Sequence, residues 1–158
     1  MNGIIATKYM VYLAIAILTG ITCTVIAAEA MDPLKSEQAM ATSLATSIAL
    51  DLNSLMSAEE GRTEMEIDPG TNFYITITYH NAGAKKGYSV DADGYYVVVS
   101  IEKSSRTVYG IRRIDGYPSS LGTEYTELET EIWKPKGICV VKDRGSRYPK
   151  VKERMLVC

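Results

Sequence analysis

One histidine, His80, serves all 158 residues, and tryptophan and phenylalanine also occur only once each. A metal centre draws several imidazole, thiolate or carboxylate ligands together, so a lone histidine with no Cys/His/Asp cluster beside it is a poor start for one. The same scarcity leaves a Ser/His or Cys/His nucleophile pair little to build from. No C-x-x-C, no G-x-x-x-x-G-K phosphate loop and no G-x-S-x-G elbow is present. No N-x-S/T sequon is present either, which excludes the usual acceptor for N-linked glycans. Net charge is also small: 17 Lys/Arg against 19 Asp/Glu leave −2, which argues against a general nucleic-acid binder. The chain is therefore expected not to be an enzyme, with no catalytic, cofactor-binding or metal-ligating residue assigned and no cofactor required.

Two near-motifs fail on spacing. Asp91-Ala92-Asp93-Gly94 resembles the start of a calcium loop, and the twelfth residue counted from Asp91 is Glu102. The glycine falls at the fourth position instead of the sixth, and apolar Tyr95–Val99 fills the rest, so a hairpin turn is expected. Glu64 with Glu66, and Glu127, Glu129 and Glu131, are spaced by two. In a strand that spacing lines one face, as on a solvated edge that resists aggregation.

Charge is absent altogether from Tyr9 to Ala28, between Lys8 and Glu29. As a helix this stretch would be about 30 Å long, the thickness of a bilayer's hydrocarbon core. Its large apolar positions, Tyr9, Val11, Leu13, Ile15, Ile17, Leu18, Ile21, Val25 and Ile26, form the expected polymerisation or membrane helix. Gly20, Thr19, Thr22 and Thr24 would let neighbouring helices approach closely. A secretory signal is the competing reading, with Lys8 as its basic region and Ala28-Glu29-Ala30 as its cleavage site. The run exceeds the usual signal core of about 7–15 residues, so a retained segment is expected, with Lys8 on the cytoplasmic side.

Asp32 suits an N-cap and Pro33 a first helical position, so these two residues are read as a helix kink. From 34 to 57 Met40, Leu44, Ile48, Leu52 and Leu55 recur every three or four residues, an amphipathic stripe. Gly61 follows as an end signal, and the period then changes to two. Strands are expected at Thr63–Ile67, Phe73–Tyr79, Tyr95–Ile101, Thr107–Ile114, Tyr125–Trp133, Ile138–Lys142 and Val151–Cys158, with Asn81-Ala82-Gly83 and Lys85-Lys86-Gly87 as loop. The expected fold is thus α+β: a long kinked N-terminal apolar/amphipathic helix (1–57), then an antiparallel β-sheet or small β-sandwich domain (62–158).

Of three cysteines, Cys23 lies in the apolar stretch, and Cys139 and Cys158 bracket the last segment. Export would permit a Cys139–Cys158 disulfide worth roughly 3 kcal/mol; a reducing compartment would leave two thiols. Between Lys134 and Arg154 eight Lys/Arg face only Asp143 and Glu153, a basic region that suits either a partner surface or a solvated hairpin. Eleven tyrosines supply rings that pack while their hydroxyls stay wet.

The order of these parts resembles the pilin-like surface filament proteins of archaea, type IV pilin-like chains with class III signal peptides. The resemblance is carried by Tyr9–Ala28, the run AMATSLATSIALDLNSLMSAEEG (Ala39–Gly61) and the following TEMEIDPGTNFYITI. It spans about the first half of the chain. Those families are cut after a basic-plus-glycine leader, whereas Gly3 here follows Asn2 with no basic residue before it. The resemblance implies a homopolymeric extracellular filament subunit at the cell surface, membrane-inserted before assembly, with itself as partner. The alternative expectation is a single-pass membrane-anchored accessory protein whose β-domain binds a partner in a surface machine. A third is a secreted domain released by cleavage near Ala30.

Overall fold

The structure, a computed structural model, describes residues 33–68, 70–103, 106–120, 128–154 and 158. Contacts divide the chain into two units, Met1–Lys35 and Ser36–Cys158, and the second holds nearly all of the described residues. The expected polymerisation residues Tyr9, Val11, Leu13, Ile15, Ile17, Leu18, Ile21, Val25 and Ile26 lie outside the described residues, as do Asp32 and Glu127.

In chain order the elements are α1 (Pro33–Met56), β1 (Gly61–Glu66), β2 (Phe73–His80), β3 (Gly83–Lys85), β4 (Tyr88–Val90), β5 (Gly94–Lys103), β6 (Arg106–Arg113), β7 (Thr130–Trp133), β8 (Gly137–Lys142) and β9 (Lys150–Glu153). Among the described residues all pairings are antiparallel and form three sheets, β6-β5-β2-β7, β1-β8-β9 and the hairpin β3-β4.

This corrects the expected fold. In place of a long kinked N-terminal apolar helix, the described residues hold one 24-residue helix, and strands dominate the rest. No helix among the described residues is long and apolar enough to cross a membrane. The physical reason is composition: α1 is rich in alanine, serine and threonine, which suit close contact with a sheet better than immersion in lipid. Pro33 is the first residue of this helix, a place where its missing N–H costs nothing, and the expected kink partner Asp32 lies outside the described residues.

The buried stripe of α1 keeps Ile48 and Leu52 as expected but is displaced by one position in its first half. Ala41, Ala45, Ile48, Ala49 and Leu52 are fully buried, whereas Met40 is 38% exposed and Leu44 and Leu55 are half-buried. Gly110 on β6 explains the shift. A Cβ at Gly110 would overlap the backbone of Ala41 and Thr42, so the helix lies directly on the strand where neither side carries bulk. Alanine at the contact lets the helix approach, and the larger Met40 turns outward.

Alternation then sorts the strands. Phe73, Ile75 and Ile77 of β2 and Tyr95, Val97, Val99 and Ile101 of β5 face α1, and Ile138, Val140 and Val151 of the three-stranded sheet join the same core. Tyr79, Tyr95, Tyr117 and Tyr148 run through it as a ladder, each ring centroid 5.5 Å from the next. Two of its hydroxyls end on backbone: Tyr79 donates to Ser119 O at 3.0 Å, and Tyr117 to Pro149 O. Burial, with Tyr95 beside it, pushes the Tyr117 hydroxyl well above the usual phenol range.

The C-terminus of α1 has no basic residue of its own in its last turn. Lys142, only 7% exposed, reaches across from β8 and donates to Met56 O at 2.6 Å. An ammonium there satisfies one orphan carbonyl and meets the negative end of the helix dipole.

Candidate functional site

The core consumes one face of each sheet, so recognition falls to the opposite faces. On the four-stranded sheet, alternation turns Tyr74, Thr76, Thr78 and His80 of β2 away from α1. The register sets Tyr74 opposite Trp133, Thr76 opposite Glu131 and Val98, and Thr78 opposite Tyr96. Beyond β5, Tyr109 and Ile111 of β6 continue this face opposite Ser100 and Val98.

Half of this face is open. Trp133, on the edge strand β7, is 54% exposed, and its ring lies 5.1 Å from that of Tyr74. The Lys134 ammonium stands 5.9 Å from the indole centre, within cation–π reach. Lys134 holds a left-handed backbone (φ 49°), fixed by its N–H donating to Phe73 O at 2.9 Å. Burial and a hydrogen bond to Glu131 push the Tyr74 hydroxyl above its ordinary range. Glu129, just ahead of β7, accepts from the Thr78 hydroxyl at 3.3 Å.

The other half is covered by the β3-β4 hairpin. Val90 packs with Tyr96 and Val98 into a second apolar cluster, flanked by Tyr88, Tyr109 and Ile111. His80 lies in this cluster, its Nε2 2.9 Å from the Tyr88 hydroxyl and its ring near those of Tyr88 and Tyr96. Burial lowers its pKa, Lys85 lowers it further, and Glu129 opposes.

The outer face of the three-stranded sheet is different in kind. Arg62, Glu64 and Glu66 line β1, and Arg154 reaches Glu66 at 3.4 Å and Glu64 at 3.8 Å. Cys139 on β8 is disulfide-bonded to Cys158, with Cα atoms 5.6 Å apart. Arg62 donates to Cys158 O at 2.6 Å, and Cys158 N donates to Glu64 at 3.1 Å, so that residue is clasped three ways. A polar cleft of about 600 Å³ opens between Arg62, Lys142 and Arg144.

No family model matches this chain. Neither a curated protein nor a solved structure matches it either.

The other sequence expectations distribute as follows. The Asp91–Gly94 stretch bends the chain from β4 into β5 but is not the expected hairpin turn, because those two strands share no ladder: Asp93 accepts the N–H of Ala82 at 2.7 Å, and Tyr96 donates to Ala92 O at 2.7 Å. Among the described residues no three His, Cys, Asp or Glu side chains converge as metal ligands. The basic region is dispersed: Lys134 stands at the tryptophan, Lys142 under α1, Arg147 over Tyr148 and Arg154 on the acidic strand β1. The sequence reading missed the β3-β4 hairpin, although Tyr88 and Val90 alternate and Gly87 follows Lys86 as a turn signal. It also gave Trp133 no role; the signal was a lone tryptophan at the end of a glutamate-lined strand.

Proposed function

We propose that the chain is a non-catalytic structural subunit of an extracellular filament of the type IV pilus kind. It joins its copies through the uncharged Tyr9–Ala28 stretch, is held in the membrane before assembly, and displays Ser36–Cys158 outward. The observation that carries this reading is the Cys139–Cys158 bridge. Such bridges persist outside the reducing cytosol, and this one sits in a chain whose opening carries 20 consecutive uncharged residues. A stretch of that kind left bare in water would drive association, first with a membrane and then with copies of itself. Deleting Tyr9–Ala28 is expected to yield a soluble monomer by sedimentation. Filaments that persist in the deleted chain, seen by electron microscopy, would overturn the proposal.

A second reading is favoured by Trp133. An exposed indole braced by Tyr74 and Lys134 has the make-up of a binding hot spot, which suits a membrane-anchored accessory subunit with a partner in a surface machine. That reading expects a defined complex in detergent extracts and no polymer.

A further inference from the structure

The β3-β4 hairpin is attached unlike the rest of the fold. It pairs only with itself, forming a two-stranded sheet that shares no ladder with the four-stranded sheet beneath it. Two-stranded hairpins are marginal alone, so side-chain contacts must hold it down. Three contacts do so. Val90 packs on Tyr96 and Val98. The Gly87 turn presses against the Tyr109 ring so closely that a Cβ there would overlap it, and Gly87 also sits at φ 95°. Tyr88 packs 5.1 Å from Tyr109 and bonds His80.

Only the last of these contacts titrates near neutrality. With the imidazole proton on Nδ1, the Tyr88 hydroxyl donates to Nε2 of neutral His80. The charged groups facing His80 are Lys85 from β3, which opposes protonation, and Glu129 ahead of β7, which favours it. The aromatic groups are Tyr88 from β4 and Tyr96 from β5. An imidazolium here is partly stripped of water and lies near the Lys85 ammonium, whereas lifting the hairpin returns it to water.

We propose that the β3-β4 hairpin is an acid-released flap, latched by His80, that covers the apolar strip Tyr96, Val98, Tyr109 and Ile111. When lifted, it exposes that strip on the same sheet face as the Tyr74–Trp133 pair. The sign follows from burial. The closed flap holds His80 below its ordinary pKa of about 6.5, so closure is fully stabilised above that pH. The stabilisation is lost as pH falls through the lowered value of the closed form.

Hydrogen exchange on the full chain, kept soluble in non-ionic detergent, tests this at pH 7.5 and 5.0 after correction for intrinsic rates. The expected result is that amides of Lys85–Val90 lose about threefold or more of their protection at pH 5.0 while β5 keeps its own. His80→Gln keeps a polar group in place without the titration, and is expected to abolish that pH dependence. An unchanged wild-type hairpin, or an equal loss in His80→Gln, overturns the proposal. If the variant does not fold, the wild type still decides: its single histidine gives one ring resonance, and a midpoint at or above 6.5 overturns the latch.

Discussion

The outer faces of the two sheets are made by the same alternation and present opposite chemistries. On the four-stranded sheet the outward positions include Tyr74, Tyr96, Tyr109 and Trp133 among threonines, and part of that surface is covered by a hairpin held through ring contacts. On the three-stranded sheet they are Arg62, Glu64 and Glu66, and the cover is Cys158, held by a covalent bond and two polar contacts. The difference teaches where each face is adaptable. Ring packing without a backbone ladder opens locally at small cost, whereas a disulfide does not open without a reductant. The aromatic face is therefore the adjustable one and the charged face the fixed one.

Both faces depend on the layer beneath them, and the largest effect should come from breaking it. Gly110→Val would drive a side chain into the backbone of Ala41 and Thr42, where nothing flexible can yield. The expected cost is about 4 kcal/mol or outright failure to fold, read by denaturant titration, with both outer faces lost together. Next in size is Cys158→Ser. Freeing a loop of 19 residues is expected to cost about 3 kcal/mol while the Tyr88–His80 contact is unaffected. A loss shared equally by the hairpin, seen in exchange rates, would show that the two faces are not independent. The smallest effect on stability is expected for Trp133→Ala. Its ring is half in water and contributes about 1 kcal/mol through Tyr74. Binding measurements on assembled or detergent-extracted material should nevertheless register a loss several times larger than the thermal shift if this patch is a contact surface.

The strand pattern was legible wherever polar and apolar residues alternate without interruption. Phe73 to Tyr79 and Tyr95 to Ile101 read as half-buried strands, and β2 and β5 contain them. The helix was legible as a helix but not in its facing. A hydrophobicity stripe weights Met40 and Leu44 above Ala41 and Ala45, whereas the approach of Gly110 rewards the smallest side chains. Nothing in the sequence around Gly110 announces that contact, because its backbone is ordinary and its partner lies some seventy residues away. The hairpin was hidden for another reason. Its strands are three residues each, too short for a period to show, and its stability comes from Tyr96 and Tyr109 on other strands. The extended helix expected from Tyr9 onward came from joining two helical signals across Pro33, a residue that begins α1.

The core tyrosine ladder and the tryptophan stand in different settings, with an optical consequence. The four-ring ladder Tyr79–Tyr95–Tyr117–Tyr148 is fixed in the core, so its asymmetric environment gives the near-ultraviolet dichroism of the packed state. The only tryptophan of the chain stands at the rim of the adjustable face, half in solvent. Its emission therefore follows what docks on that face and is nearly blind to the core. The molecule carries two built-in chromophores that report separately on folding and on contact.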